Sequence, residues 1–279
     1  MTYIIAVDSG GTFTDTIVVD SDGNITAAKA ASTPDDFARG VIDSVSGAAE
    51  TLELTLKDLL ANATLFAHGT TVATNALLTR SGARTGLITT RGHEDALIIG
   101  RTIQKVAGRS ENEITHLAQL DKADPIIPRP LIKGIRERVD FSGKVIIPLN
   151  EEDVRCAVDE LLGAGCEAIA VSLLWSFMHK EHECRVREIV HAQQPDMLVS
   201  LSHELAPVIK EYERTATTAI NTYIGKAAGD YLARLSTQLK DLGFTHAPVI
   251  MQSSGGVVPI AEAQSRAAAL LASGPAGGV

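Results

Sequence analysis

The sequence predicts a mixed α/β fold, and three observations carry that prediction. The first thirty residues hold three short runs rich in β-branched and small apolar residues, separated by Gly-containing turns. Apolar positions at helical spacing follow from about residue 37. From Asn150 onward, helix-like and strand-like stretches alternate again.

The elements are expected in this order. Tyr3–Val7 and Thr12–Val19 are β-branched strands joined by Asp8-Ser-Gly-Gly, and Asp20-Ser-Asp-Gly turns into a third strand, Ile25–Ala31. Pro34 suits a helix first turn, and Phe37, Val41, Ile42 and Val45 then share one face of a helix to about Ala49. Strand Thr64–Ala67, a turn at His68-Gly69, a helix over Val72–Thr79 and strand Thr85–Thr89 follow. Residues 100–148 turn polar and then proline-rich (Pro125, Pro128, Pro130), before a hairpin of Ile132–Val139 with Val145–Ile147. Asn150 is placed to cap a helix that ends near Gly163 and Gly165, and Ala168–Leu174 has the apolar run of a buried strand. A charged helix over His179–Gln193 and a strand at Met197–Leu201 come next. A long helical stretch starts near Pro207, with breaks expected at Gly225 and Gly229. Strand Val249–Met251 leads to Ser253-Ser-Gly-Gly, and Ser273-Gly-Pro-Ala-Gly-Gly follows. This gives three expected regions: 1–99, 100–148 as a connector or insertion with a hairpin, and 149–279 as a second α/β region.

Composition narrows the function. The 279 residues carry a formal charge of −9, which argues against a nucleic-acid binder with its basic stripe. It leaves a nucleotide binder open, because backbone N–H groups and a metal ion hold phosphate. No run approaches the roughly 18 apolar residues of a membrane span, and the Met1–Val7 start lacks a basic signal-peptide region, so no membrane partner is expected and a cytoplasmic location is. Three cysteines without a CxxC spacing predict free thiols.

The strongest local signal is Asp8-Ser-Gly-Gly-Thr-Phe-Thr-Asp15 between two strands. Gly10 and Gly11 let the backbone bend and approach a phosphate. Their N–H groups, with that of Thr12, are candidates to face phosphate oxygens, and Thr12 and Thr14 offer hydroxyls. Asp8 at the strand end is the candidate Mg²⁺ ligand. Taken alone, the four residues also fit an ordinary hairpin turn. No Gly-Lys-Ser/Thr follows, so this is not a Walker A loop, and a following strand excludes the dinucleotide fingerprint. His68-Gly-Thr-Thr-Val-Ala-Thr-Asn75 lies between a strand and a helix, with Thr70 or Thr71 as cap. From those residues alone, plain capping with a His satisfying a backbone group is favoured. Glu211-Tyr-Glu-Arg-Thr215 fits charge pairs along a helix face, and Gly255-Gly256 and Gly274-Pro-Ala-Gly-Gly278 fit ordinary turns.

In this order, however, these segments together with Thr85-Gly-Leu-Ile-Thr-Thr90 and His182-Glu183 resemble the hydantoinase A / 5-oxoprolinase / acetone carboxylase nucleotide-binding subunit family over nearly the whole chain. The segments Ile103–Leu120 and Arg91–Asp95 depart from the family's usual pattern. The resemblance implies an α/β fold of the ribonuclease H-like kind, the phosphate-binding half found in the actin and sugar kinase superfamily, with an additional α/β region. It implies the N-terminal part of an ATP- and Mg²⁺-dependent hydrolase or carboxylase subunit that phosphorylates a carbonyl oxygen of a cyclic amide, imide or ketone. Family proteins are longer and carry a second Asp-x-Gly-Gly-Thr loop, so the chain by itself is expected to be incomplete and inactive. The implied catalytic residues are Asp8, Thr12 and Asp15, with Asp15 orienting Thr14 or substrate. Gly10, Gly11, Thr12, Thr14, Gly255, Gly256, Gly274, Gly277 and Gly278 are the implied ATP contacts, and His68, Thr70, Thr71, Asn75 and Arg214 the implied substrate contacts. A hydantoinase B-type subunit or domain and an oligomeric assembly are the implied partners. A small-molecule kinase of the same superfamily and a non-catalytic nucleotide-binding domain are the alternatives.

Overall fold

The computed structural model of the chain describes every residue except 34, 35, 117, 119, 278 and 279, and leaves aside the side chains of 275 and 277. Its strands are β1 (Tyr3–Ser9), β2 (Phe13–Asp20), β3 (Ile25–Ala31), β4 (Ala63–Thr70), β5 (Thr85–Thr90), β6 (Ile132–Ile135), β7 (Arg138–Val139), β8 (Val145–Ile147), β9 (Ala168–Ser172), β10 (Leu198–Leu201), β11 (Val249–Met251) and β12 (Val257–Pro259). Its helices are α1 (Phe37–Thr51), α2 (Leu56–Ala61), α3 (Val72–Leu78), α4 (Ala96–Ile99), α5 (Ile103–Val106), α6 (Glu111–Ile114), α7 (Glu151–Gly163), α8 (Glu181–Gln193), α9 (Ser202–Leu205), α10 (Glu211–Asp241), α11 (Ile260–Ser265) and α12 (Ser273–Gly277). Two compact units result: residues 1–82 with 224–279, and residues 83–223. Among the described residues no helix is long and apolar enough to cross a membrane, and all three cysteines are free.

The first unit is built on a six-stranded sheet of order β12-β11-β4-β1-β2-β3. β1, β2 and β3 form an antiparallel meander, whereas β4 runs parallel to β1 and β11 parallel to β4. That is the ribonuclease H-like arrangement the family resemblance implies. Strand alternation decides the two faces. Tyr3, Ile5, Val7 and Ser9 are buried on one face, and Val41, Val45, Ala48 and Ala49 of α1 are buried beside β1–β3. Ile4, Asp8, Phe13, Asp15, Ile17 and Leu65 are exposed.

The second unit holds a four-stranded, all-parallel sheet of order β10-β9-β5-β6, plus the hairpin of β7 with β8. Every residue of β5 and β9 is buried, as parallel strands covered on both faces require. Leu87, Ile88, Ile169 and Val171 meet Val154, Val158 and Leu161 of α7 and Val186, Ile189 and Val190 of α8 in one core. Gly86 permits the close approach of α7: a Cβ there would lie 2.7 Å from the Leu161 methyls.

The units divide the chain elsewhere than at residues 99 and 148. β5, expected in the first region, pairs with β6 and β9, and the strand beside β4 is instead β11, from far along the chain. The segment expected as a connector supplies β6 to the parallel sheet. Periodicity reports burial along a strand but not which strand lies beside it, so these partners were not legible locally. α10 runs unbroken through Gly225 and Gly229, because tertiary burial outweighs a helix-propensity cost of roughly 1 kcal/mol per glycine. β4 continues through His68 and Gly69 to Thr70 rather than turning there. Asn150 caps α7 as expected, accepting from the Asp153 N–H at 2.9 Å. The expected helix start at Pro34 lies outside the described residues.

Candidate functional site

In the first unit, β1 leads to β2 on one side, while β4 has β11 on the other. The carboxyl ends of β1 and β4 are therefore where the connections diverge, the edge at which open α/β sheets take ligands. Asp8 stands there, exposed, opposite Gly69 in the parallel register. A Cβ at Gly69 would sit 3.0 Å from Asp8 Oδ1, so glycine keeps the carboxylate in place. A cavity of about 260 Å³ opens at this edge, lined by Ala6, Asp8, Ala67, Gly69, Met251 and Gly274 among others.

The turn after β1 closes when the Gly10 N–H donates to the Phe13 carbonyl at 3.0 Å. That amide therefore serves the turn and not a phosphate. Gly11 and Thr12 form the exposed tip. A Cβ at Gly11 would meet nothing within 4 Å, so the chain's own packing does not demand its glycine. Ser32 braces the tip from the end of β3: its N–H donates to the Thr12 carbonyl at 2.9 Å and its Oγ to the Gly10 carbonyl at 2.8 Å.

Several expected contacts are placed differently. Thr14 is fully buried on the helix-covered face, with Oγ1 3.1 Å from Ser32 Oγ and 3.4 Å from Ser9 Oγ. Asp15, one position on, necessarily points to the other face, where it pairs with Lys29 at 2.9 Å; it does not orient Thr14. Lys29 in turn lies over the Phe13 ring. His68 lends only its strand position to the cavity edge. Its ring is buried, with Nδ1 3.2 Å from the Val7 carbonyl and Nε2 2.5 Å from the Tyr231 hydroxyl. A carbonyl only accepts, so Nδ1 carries the proton and Tyr231 donates to Nε2. Desolvation lowers the His68 pKa to about 4, against the weaker opposing effect of the Val7 contact, so the ring is neutral. Burial likewise drives the Tyr231 hydroxyl well above its ordinary value, against the lowering effect of a hydrogen bond from Thr70. Thr70 is buried, and its carbonyl accepts from Ser273 Oγ at 3.2 Å, which ties α12 to the end of β4.

Thr71 makes no capping bond through its side chain; its N–H and its Oγ1 both donate to the Ser9 carbonyl at 3.1 Å, locking the start of α3 to the end of β1. Asn75 is half-buried and donates to Thr71 Oγ1 at 3.3 Å. Gly255 and Gly256 form the turn between β11 and β12, with Gly255 at φ +84 and the Gln252 N–H bonded to the Gly256 carbonyl. Gly274 lines the cavity, Gly277 ends α12, and Gly278 lies outside the described residues. Thus Asp8, Gly69 and Gly274 meet at the cavity, while Gly255 and Gly256 do not line it.

Arg214 belongs to the second unit and is buried there. It donates to the Val208 and Leu173 carbonyls at 2.8 and 2.9 Å and lies over the Phe177 ring. Burial lowers its pKa, opposed by Glu183 and Glu211. Glu183 is buried too, accepting from the Leu173 N–H (2.9 Å), Ser202 Oγ (2.6 Å), the His203 N–H (3.1 Å) and His203 Nδ1 (2.7 Å). Glu137 accepts from Thr90 Oγ1 and pairs with His182 Nδ1 at 2.9 Å. Arg214 is thus held by backbone carbonyls of the second unit.

Two features escaped the sequence. Only the fold shows the Tyr231 hydroxyl on His68. A second cavity of about 480 Å³ gathers residues from four separate segments, including Gly11, Asp36, Asn75, Asp230, Tyr231 and Arg234. No local motif announces such a grouping.

The family described as Hydantoinase/oxoprolinase N-terminal region matches residues 4–193, and the one described as Hydantoinase/oxoprolinase matches residues 214–279. The chain belongs to the hydantoinase/oxoprolinase family. It is 40% identical over 261 residues to the acetophenone carboxylase gamma subunit of Aromatoleum aromaticum, covering 92% of this chain and 36% of that protein. The nucleotide-free acetone carboxylase structure, from work on ATP-dependent acetone carboxylation, superposes with a TM-score of 0.92 at 34% identity, over 99% of this chain and 39% of that one. The crystal structure of the ATP-dependent caprolactamase of Pseudomonas jessenii gives 0.88 at 36% identity, over 98% and 39%. The chain therefore spans less than two-fifths of the length of these relatives.

Proposed function

We propose that the first unit is the phosphate-gripping part of an ATP-dependent enzyme subunit. In this reading the enzyme activates the carbonyl oxygen of a small cyclic amide, imide or ketone for hydrolysis or carboxylation. The observation that carries the reading is the exposed Asp8 carboxylate at the β1/β4 edge, beside a glycine tip whose missing side chain nothing in the fold requires. Gly11 and Thr12 would steady phosphoryl oxygens through backbone N–H groups and the Thr12 hydroxyl. Among the described residues no group of three or more His, Cys, Asp and Glu side chains forms a metal cage. A single exposed carboxylate suits Mg²⁺, which keeps several waters and takes phosphate oxygens as ligands. Asp8 would hold it, and the ion would supply charge neutralisation at the β- and γ-phosphates.

The reaction proposed is one displacement. The carbonyl oxygen forms a bond to the γ-phosphorus as the bond from that phosphorus to the β–γ bridging oxygen breaks. ADP leaves with the electron pair; loss of the amide N–H proton gives a phospho-imidate whose carbonyl carbon is open to water, whereas loss of an α-proton from a ketone gives an enol phosphate whose α-carbon is the nucleophile in carboxylation. A hydantoinase B-type subunit and an oligomeric assembly belong to this proposal. So does the role of the Ser32 and Thr71 contacts, which hold the tip and the start of α3 against β1. The test is calorimetry of Mg-ATP with the chain and with Asp8→Ala. Mg²⁺-dependent binding that the variant lacks is expected; binding indifferent to Mg²⁺ or to Asp8 overturns the reading.

A further inference from the structure

We infer that the second cavity of the first unit is a binding site for a free α-amino acid with an uncharged apolar side chain, held by Arg234 at its carboxylate and by Asp36 at its ammonium. The first observation is an idle carboxylate. Asp36 occupies the N-cap position of α1, yet its side chain makes no capping hydrogen bond. An aspartate there ordinarily accepts from an N–H of the first helical turn. Its Oδ1 is buried and has no hydrogen-bond partner among the described residues. An oxygen in that position, serving neither its own helix nor another donor, is open to a donor from outside.

The second observation is what faces that oxygen. Arg234 Nε stands 4.0 Å from it, beyond hydrogen-bond reach, and both side chains are partly exposed. An exposed pair at that spacing holds little energy, so a ligand parts it readily. Both residues line the same cavity of about 480 Å³. A ligand with only an ammonium would meet Arg234, and one with only a carboxylate would meet Asp36 and Asp230. A ligand with both charges side by side meets each with its opposite. That is the arrangement of an α-amino acid, whose carboxylate is bonded to the carbon that bears the ammonium. The carboxylate accepts from the guanidinium fork, and the ammonium donates to Asp36 Oδ1. An ω-amino acid holds its two charges too far apart for this pair. The third observation is the rest of the wall. Phe37, Val72, Ala76, Ala227 and the Tyr231 ring supply the apolar area of a small-molecule site. A charged side chain would lose its water against them without gaining a partner. Of the turn after β1, Gly11 lines this cavity whereas Asp8 lines the other, so the ligand sits beside the phosphate turn. The preference does not depend on the reading of Asp8–Thr12 given above.

The experiment is calorimetry with ligand-observed NMR on the chain. The probes are L-leucine, isoamylamine (leucine without its carboxylate), isocaproate (leucine without its ammonium), ε-aminocaproate and L-glutamate. L-leucine is expected to bind saturably, roughly tenfold or more tighter than each of the other four. Asp36→Asn and Arg234→Gln should each weaken leucine binding about tenfold or more, with the melting temperature checked to show that the fold is kept. Thr79→Phe, a bulky ring at an exposed rim position, should abolish it. Three results overturn the inference: no leucine binding, equal or tighter binding of any of the other four probes, or leucine binding that the two charge variants or Thr79→Phe leave unchanged.

Discussion

The two larger sheets each diverge at one strand pair, β1/β4 in the first unit and β5/β9 in the second, and the two edges are finished in opposite ways. The second is filled by the protein itself. Glu183 accepts four hydrogen bonds, Glu137 is held by Thr90 and His182, and Arg214 reaches two carbonyls, all in buried positions. The first is left open. Asp8 is exposed, Gly69 makes room for it, and the Gly11–Thr12 tip is exposed, braced by Ser32 only through backbone carbonyls. A carboxylate and a histidine occur at both edges. What separates the two edges is whether the carboxylate is already engaged: Glu183 and Glu137 are, although Arg214 in the same unit keeps a buried Nε without a partner among the described residues.

The largest test of that contrast is Glu183→Ala. It leaves the His203 ring, the Ser202 hydroxyl and two backbone N–H groups in the core without their acceptor. A loss of about 3–5 kcal/mol in urea unfolding is expected. A loss below about 1 kcal/mol would mean the second edge is not the filled structure described.

The open edge still has one buried support, His68, and pH probes it. In the unfolded chain the ring titrates near 6.5, and in the fold near 4. Between those values the unfolded state binds the extra proton. The stabilising contribution is therefore complete above about pH 6.5 and is lost as pH falls through this window toward 4. The loss is up to about 3 kcal/mol. His68→Gln should flatten that part of the stability-versus-pH curve; an unchanged curve would show that the ring protonates freely in the fold.

The smallest expected effect on stability is that of Gly69→Ala. The new Cβ would crowd Asp8 Oδ1 at 3.0 Å, in an exposed place that relaxes easily. Unfolding free energy should change by less than about 1 kcal/mol, whereas Mg-ATP affinity should fall about tenfold by calorimetry. A large stability loss with unchanged affinity would reverse the assignment and make Gly69 a packing residue.

Much of this was legible along the chain. The meander of β1–β3 follows from β-branched runs and Gly turns, and the Asp8–Thr12 hairpin from its glycines. Roles that depend on which way a side chain points were less so. Thr14 and Asp15 are adjacent in sequence and so fall on opposite faces, a period-2 consequence that separates them from one another and Thr14 from the cavity. His68 sits in a segment that resembles a binding motif, yet its ring completes a buried chain with Tyr231, 163 residues away in sequence. The same distance problem hid β11 beside β4 and the second cavity, which assembles from the turn tip, α1, α3 and α10 with the residues just after α3. Arg214 reads along the chain as part of charge pairs on a helix face, and only the fold shows it buried against the Leu173 and Val208 carbonyls.

The central claim is that Asp8 and the Gly11–Thr12 tip together grip a metal-bound triphosphate. Paramagnetic broadening by Mn²⁺, standing in for Mg²⁺, tests it most directly in the ¹⁵N-labelled chain with ATP present. The account predicts selective loss of the amide signals of Asp8, Gly11, Thr12 and Gly69, dependent on ATP and absent in Asp8→Ala. Broadening centred elsewhere, or undiminished in Asp8→Ala, would contradict it.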